Sequence, residues 1–158
     1  MSTVEIRTLT TDEWTILRDV RFASLREAPE AFTSTVEREE HHAPDVWQLR
    51  TGTSAVAFVD GAPAGIVGWF RPDGANHTFL VGMWVDPEYR RRGIGFGLVD
   101  HVVRATTGER LVLHVLPTNE QARALYRASG FVADRTEEFD GVTALRMHHD
   151  PGAARLGS

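Results

Sequence analysis

The sequence predicts a mixed α/β fold, in which an antiparallel meander of strands joins a parallel strand–helix–strand crossover, with helices on both faces of the sheet. Asp-Gly dipeptides at 60–61 and 73–74 separate apolar runs, which is a strong signal for turns between antiparallel strands. A basic, glycine-rich turn at 90–97 opens a helix with an apolar stripe. The apolar run 111–116 follows this helix, so the crossover is expected to be parallel and right-handed.

The first third of the chain predicts one strand and two helices around a polar stretch. Residues 4–9 alternate between apolar and polar side chains, as a half-buried strand does. A capped helix follows and ends before Pro29. The stretch 30–42 is expected to be irregular, either as a surface linker or as a substrate-side loop, and a short helix then covers 44–50.

The rest of the chain predicts a strand-rich region interrupted by two helices. The strands are predicted at 54–59, 64–70, 77–85, 111–116, 131–139 and 142–148. The helices are predicted over 93–107 and from Asn119 onward. The strand ending at Val85 therefore has an antiparallel neighbour on one side and a parallel one on the other. Ligands in α/β sheets gather near the carboxyl ends of parallel strands at such switch points.

Length and composition favour one globular domain. The chain has 158 residues, of which 42% are hydrophobic and 25% charged, as is ordinary for a soluble domain with its own core. We expect a single domain over 1–149 and a flexible C-terminal tail over 150–158. The formal net charge of −5 argues against a nucleic-acid partner and against an anionic membrane surface.

The sequence contains no cysteine, which excludes a disulfide framework, a thiolate metal site and a cysteine nucleophile. No apolar run approaches the length of a membrane span, and the N-terminus lacks an apolar signal core. The sequence therefore predicts a cytoplasmic protein with no membrane partner.

The turn 90–97 has the chemistry of a phosphate cradle. Glycine lets a ligand approach the backbone without a Cβ in the way. N–H groups at a helix start point outward, and the helix dipole favours negative charge there. Three consecutive arginines add positive charge to an otherwise acidic protein. A phosphate is therefore expected at the start of the helix 93–107.

Two common phosphate motifs do not fit this turn. A dinucleotide fingerprint needs G-x-G-x-x-G, whereas the glycines at 93, 95 and 97 place the third one a position early. It also needs an acidic residue about twenty positions further on, where Leu113 and His114 stand instead. A P-loop needs G-K-[ST], which is absent.

Two motifs resemble the GNAT superfamily of N-acetyltransferases. The pattern Arg90-x-x-Gly93-x-Gly95 resembles the loop that binds the coenzyme A pyrophosphate in that family. Residues 119–131 resemble its second signature, N-x-x-A-x-x-L-Y-x-x-x-G-F, at every fixed position. The resemblance is tight over residues 77–132 and rests on pattern alone elsewhere.

The resemblance implies a GNAT-like fold and an acetyl-CoA-dependent N-acetyltransferase. It implies acetyl-CoA as the acetyl donor and an amine as the acceptor. Because the sequence has no cysteine, direct transfer in a ternary complex is the simplest route, and no metal is expected. The expected acceptor is a primary amine of a small cationic molecule. Two alternatives stay open: a protein N-terminal or lysine acetyltransferase, and a non-catalytic acyl-CoA-binding module. Homodimers are common in the family and are compatible with this sequence.

By motif position, the resemblance assigns the cofactor-binding residues to a strand end, the glycine turn and a helix cap. These residues are Met83, Trp84, Val85, Arg90, Arg91, Arg92, Gly93, Ile94, Gly95, Phe96 and Asn119. The N–H group of Val85 is the expected partner of the thioester oxygen, and Asn119 is also expected to cap its helix.

The resemblance assigns Tyr126 as the acid that protonates the departing thiolate, a role that suits a phenol with a pKa of about 10. A purely packing role for this tyrosine is the alternative. His114 takes the position of a candidate base, because a histidine accepts a proton near neutral pH. His77 is the reserve base. A histidine that only packs in its strand, or a water relay without a single base, stays open.

Acidic residues flank the expected acceptor side. They are Glu27, Glu30, Glu137, Glu138 and Asp140. Such a rim would attract a cationic amine, although each residue taken singly is also an ordinary solvated charge.

Overall fold

The computed structural model describes residues 2–152. The described residues form two compact units, which are residues 2–68 with 82–101 (unit 1) and residues 69–81 with 102–152 (unit 2). The predicted C-terminal tail lies outside the described residues from position 153 onward. The assignment of a single domain to 1–149 stays a prediction. No helix within 2–152 is long and apolar enough to cross a membrane.

The bounds of the strands and helices follow the sequence-based prediction closely. The strands are β1 (Val4–Thr8), β2 (Ser54–Val59), β3 (Ala62–Phe70), β4 (His77–Val85), β5 (Arg110–Val115), β6 (Val132–Phe139) and β7 (Val142–His149). The helices are α1 (Trp14–Glu27), α2 (Val36–Glu39), α3 (Pro44–Thr51), α4 (Ile94–Ala105) and α5 (Glu120–Ala128). Short 3-10 turns lie at Thr11–Glu13, Pro29–Ala31 and Pro87–Tyr89. The stretch 30–42, expected to be irregular, therefore contains α2.

Unit 1 holds β1, β2, most of β3 and the end of β4, in that order across the sheet. β1 and β2 are antiparallel, as are β2 and β3, with a bulge between Ala57 and Phe58. Asp60 and Gly61 both have positive φ, at 49° and 85°, as a tight hairpin turn requires. One face of these strands packs against α1 and α3. That core contains Leu9, Leu17, Val20, Trp47, Val56, Phe58, Ile66 and Trp84.

Unit 2 contains the start of β4, then β5, β7 and β6 in spatial order. β4 and β5 are parallel, whereas β7 is antiparallel to both β5 and β6. The predicted mixed α/β class with a parallel crossover is therefore confirmed. A register shift between Ala133 and Arg135 makes Asp134 an extra residue in β6.

The parallel ladder between β4 and β5 is short. It contains three residue pairs among the described residues, from His77 opposite Arg110 to Phe79 opposite Val112. Beyond Phe79, the backbone groups on the edge of β4 that faces β5 are not paired in this ladder. Gly82 lies in that part of β4 with a φ of +62°, which breaks the regular strand geometry. At the strand end, the Val85 carbonyl accepts a hydrogen bond from the Arg90 side chain at 3.0 Å instead.

A buried carboxylate organises the helices of unit 1. Glu39 accepts hydrogen bonds from Arg21 at 3.1 and 2.8 Å and from Arg50 at 3.2 Å. Its side chain is only 5% exposed. Burial alone would raise the pKa of Glu39, but the hydrogen bonds, chiefly from Arg21, outweigh burial and lower the pKa to about 2. This cluster joins α1, α2 and α3.

We predict that Glu39→Gln lowers the free energy of unfolding by about 2 kcal/mol at neutral pH, because charged hydrogen bonds are replaced by neutral ones. Urea denaturation followed by circular dichroism measures this loss. The folded pKa of Glu39 lies below its ordinary value of 4.5, so its stabilising contribution is present above pH 4.5 and is lost as the pH falls toward 2. The difference between wild type and variant should shrink over that window.

Glu40→Gln is the matched control, because Glu40 is the next residue and its side chain is 49% exposed. Its free energy of unfolding should stay within about 0.5 kcal/mol of wild type. Equal losses for the two variants would contradict a specific role of Glu39.

Candidate functional site

The glycine turn of unit 1 is built by two residues in the left-handed region of backbone space. Asp86 opens the turn, where its side chain accepts the N–H of Glu88 at 2.9 Å. Arg91 and Gly93 then have φ of +66° and +77°. A Cβ added to Gly93 would meet no atom within 4 Å, so the backbone there faces open space. An arginine at positive φ is uncommon.

Helix α4 begins directly after this turn, at Ile94. Its first backbone hydrogen bond joins the N–H of Gly97 to the carbonyl of Gly93 at 3.0 Å. The N–H groups of a first helical turn have no acceptor within their own helix, and they carry the positive end of the dipole. With exposed Arg91 and Arg92 beside them, they form a donor set suited to a phosphate.

The three arginines of the turn have different surroundings. Arg90 donates to the Val85 carbonyl at 3.0 Å and to Glu27 at 2.9 Å, so it links the end of β4 to the end of α1. Arg92 lies over the ring of Tyr89, at 5.4 Å from its centroid. The charge of Arg90 is therefore balanced by a carboxylate. Arg91 and Arg92 are the better candidates for a phosphate ligand.

Within the strand end, side chains and backbone have separate roles. The side chain of Trp84 is buried in the core of unit 1, and its indole N–H donates to Glu27 at 2.9 Å. Only the backbone of Trp84 can therefore meet a ligand. Met83 and Val85 are half-buried. Their backbone groups belong to the part of β4 beyond its ladder with β5, as the predicted contacts to the donor require.

Glycines hold α4 close to the strands of unit 1. A Cβ on Gly97 would lie 2.5 Å from Cδ1 of Ile6. A Cβ on Gly65 would lie 2.9 Å from the backbone oxygen of Trp84 and 3.1 Å from Leu98. Gly97, which had suggested an incomplete dinucleotide motif, therefore serves the packing of the helix.

In unit 2, the second motif forms a capped helix with a buried tyrosine. The Asn119 side chain accepts the N–H of Ala122 at 3.1 Å, which confirms the predicted cap. Tyr126 is 7% exposed, and its ring packs edge-on against Phe131 with centroids 5.9 Å apart. Burial raises the pKa of the Tyr126 phenol well above its usual value. The phenol is therefore protonated at neutral pH.

His114 belongs to an aromatic row on one face of unit 2. Its ring stacks on Phe79 with centroids 6.0 Å apart and meets Phe139 edge-on at 4.9 Å. Nε2 of His114 lies 3.3 Å from a carboxylate oxygen of Glu137. His77, the reserve base, packs edge-on against the same Phe79 ring, with the two ring centroids 5.0 Å apart.

Two carboxylates of the predicted acidic rim have specific partners. Glu27 is bound to Trp84 and Arg90 in unit 1. Glu137 contacts His114 and, at 3.4 Å, Arg135 in unit 2. The hydrogen bond from His114 is the main reason that the pKa of Glu137 is lowered. These two charges are therefore largely compensated within the protein. No local sequence pattern indicates the contacts of Glu27 with Trp84 and Arg90. The same holds for Glu137 with His114, because these partners are far apart along the chain.

The predicted site residues divide between the two units. Residues 83–96 belong to unit 1, whereas His114, Asn119 and Tyr126 belong to unit 2. Phe79 and Phe139 were absent from the sequence-based candidates, although both contact the predicted base. Within residues 2–152, no three His, Asp or Glu side chains are grouped so that they could hold a metal ion.

The sequence model of the acetyltransferase (GNAT) family matches residues 14–131. Human cysteine-rich protein 2-binding protein is 34% identical over 64 residues, which are 40% of this chain and 8% of that protein. The 5-NmdU N-acetyltransferase of Pseudomonas phage PaMx11 is 39% identical over 57 residues, which are 36% of this chain and 41% of that protein. The matched segments therefore span less than half of either relative.

Solved structures show the same fold over nearly the whole chain. An acetyltransferase of the GNAT family from Streptococcus pneumoniae superimposes with a TM-score of 0.77 at 20% identity, covering 95% of this chain and all of that one. The PaiA N-acetyltransferase of Thermoplasma acidophilum, solved in complex with coenzyme A, gives a TM-score of 0.67 at 20% identity. That match covers 94% of this chain and 99% of the other.

We predict that Gly65→Ala destabilises the protein more than Gly97→Ala. The Gly65 Cβ would press on a backbone oxygen, which cannot move without shifting β4, and overpacking of this kind costs about 1–3 kcal/mol. The Gly97 Cβ would meet the flexible end of Ile6, and alanine gains about 1 kcal/mol of helix propensity over glycine. Urea denaturation gives the free energy of unfolding of each variant and shows which one is less stable. A larger loss for Gly97→Ala would contradict the predicted order.

Proposed function

This chain belongs to the acetyltransferase (GNAT) family, and on that premise we propose that it moves an acetyl group from acetyl-CoA to a primary amine of a small cationic molecule. The observation that carries the proposal is the left-handed turn at Arg91 and Gly93, which opens directly into α4 in the segment that matches the family. Its open backbone and helix-start amides suit the pyrophosphate of coenzyme A.

When bound, acetyl-CoA would supply an activated acetyl group: the nitrogen of the neutral amine bonds to the carbonyl carbon and loses one proton, the carbon–sulfur bond breaks, and the sulfur gains one proton. Arg91, Arg92 and the amides from Gly93 to Phe96 would hold the phosphates. Backbone groups of Met83, Trp84 and Val85 would hold the acyl arm. The Val85 N–H is assigned to the thioester oxygen, where a fixed donor stabilises developing negative charge. Asn119 is assigned a further contact to the donor.

Proton transfer is assigned to two side chains. The hydroxyl of Tyr126 carries the proton given to the sulfur, since burial keeps this phenol protonated at neutral pH. His114 is the base that removes a proton from the acceptor ammonium. With no cysteine in the chain, an acyl-cysteine route is closed and direct transfer is the simplest path.

A cationic small molecule is the proposed acceptor. The net charge of −5 and the exposed Asp140 in the turn of the β6–β7 hairpin favour it. A protein N-terminus or a lysine side chain is the alternative acceptor, and peptide panels run against small-amine panels separate the two. A non-catalytic acyl-CoA-binding module is the third candidate, and it would bind acetyl-CoA without any turnover.

Calorimetric titration with acetyl-CoA tests the donor, with NADH and ATP as controls. Saturable binding of acetyl-CoA alone is the expected result. Release of free thiol is then followed over an acceptor library, and the absence of cysteine removes any background from the protein itself. Failure of acetyl-CoA to bind would overturn the proposal. Binding without thiol release from any acceptor would favour the binding module.

The double variant Arg91→Gln/Arg92→Gln should weaken acetyl-CoA binding by about tenfold or more, because each arginine supplies positive charge to a phosphate. The dependence of the affinity on salt should fall with it. Arg90→Gln is the matched comparison, because Arg90 is paired with Glu27 and the Val85 carbonyl. We expect it to lower thermal stability more than the double variant does. If Arg90→Gln reduced the affinity for acetyl-CoA and its salt dependence more than the double variant, these separate roles of the arginines would be contradicted.

Tyr126→Phe should lower kcat by about 100-fold while the affinity for acetyl-CoA stays nearly unchanged, because only the proton donor is removed. Stopped-flow or steady-state thiol release gives kcat, and calorimetry gives the affinity. Because burial raises the phenol pKa, the wild-type rate should not fall through ionisation of Tyr126 until the pH exceeds about 10. Equal kcat for wild type and variant would leave Tyr126 as a packing residue.

A further inference from the structure

The strand pairing of unit 2 places one glutamate on the same face as His114. His114 lies opposite Arg146 on β7, and Glu137 lies opposite Ala144 on the same strand. Residues 144 and 146 are two apart, so both point to one face, and directly opposed residues share that face. Glu137 therefore approaches His114 across β7, where Ala144 leaves room. Glu138, the next residue, points to the opposite face.

The contact selects one form of the imidazole. Glu137 is ionised at neutral pH, because the hydrogen bond from His114 and the nearby Arg135 lower its pKa. An ionised carboxylate can only accept hydrogen bonds. With 3.3 Å between Nε2 of His114 and Oε1 of Glu137, a neutral His114 must carry its proton on Nε2. The lone pair is then on Nδ1, which is the form that a base needs.

The other neighbours of His114 keep the ring in place. Phe79 from β4 and Phe139 from β6 contact it on different sides. The charged groups on this face are Arg135 and Arg146, whose Nε atoms lie 3.4 and 3.6 Å from the same oxygen of Glu137. His77 contacts Phe79 edge-on, with ring centroids 5.0 Å apart. Arg146 is itself held by Asp134 at 2.8 Å, so Glu137 is fixed from several directions.

We infer that Glu137 is a positioning residue for the proposed reaction: it holds His114 with the proton on Nε2, so that Nδ1 takes a proton from the acceptor ammonium and leaves a neutral amine. This inference rests on the proposed function, since it assigns a partner to the proposed base. It replaces the expectation that Glu137 attracts the acceptor from an acidic rim. The step is a single proton transfer from nitrogen to nitrogen, and it needs no further reactant.

Kinetics of three variants test the inference. Glu137→Gln keeps the shape of the side chain and removes its charge, so kcat should fall by about tenfold while the acceptor KM stays within about twofold. In a His114→Gln background, the same change should have no further effect on kcat.

Glu138→Gln is the matched control, because it removes the same charge from the adjacent residue on the opposite face. It should leave kcat as in wild type. A rise in acceptor KM with an unchanged kcat for Glu137→Gln would return Glu137 to the acidic rim and overturn the inference. Equal effects of the two glutamates, or independent effects of His114 and Glu137, would also overturn it.

A spectroscopic test does not depend on turnover. Long-range proton–nitrogen NMR of the protein reports which imidazole nitrogen carries the proton, and His114→Gln identifies the signals of His114 among the seven histidines. We expect Nε2–H in wild type and in Glu138→Gln, and a mixture in Glu137→Gln. An Nδ1–H form in wild type would overturn the inference whatever the activity. Wild type that lacks turnover but shows Nε2–H would count against the proposed function alone.

Discussion

A single carboxylate oxygen joins the parts of unit 1 on which the glycine turn depends. Oε1 of Glu27, the last residue of α1, accepts the indole N–H of Trp84 and a guanidinium N–H of Arg90, each at 2.9 Å. Arg90 also reaches the Val85 carbonyl. The end of the strand and the start of the turn are therefore held by one acceptor. A left-handed turn is costly to maintain, and it persists where surrounding contacts fix it in this way.

Local sequence signals predicted most of the fold. The Asp-Gly pairs at 60–61 and 140–141 have positive φ at both residues, as their chemistry requires. The pair at 73–74 is different: only the glycine has positive φ, and the connection between β3 and β4 is longer. Helix α2 was not predicted, because four residues give no periodicity to detect. Its stability depends on Glu39 and two arginines that are distant in sequence.

The candidate site was predictable where the backbone makes it and unpredictable where side chains meet across strands. Glycine and arginine spacing indicated the turn, and Asn119 indicated the cap. The hairpin turn at 140–141 fixes Glu137 opposite Ala144, but no local signal sets the register of β5 against β7. The contact between His114 and Glu137 depends on that register. The sequence likewise indicated Arg90 only as part of the glycine motif, because Glu27, the carboxylate that pairs with it, is 63 residues away along the chain.

The Glu39 cluster also gives unit 1 a distinctive response to heat. Hydration of charged groups becomes less favourable as the temperature rises, so the penalty for burying Arg21 and Glu39 decreases on warming. The stabilisation from apolar burial levels off over the same range. The ionic cluster therefore contributes a growing share of the cohesion between α1, α2 and α3 at high temperature.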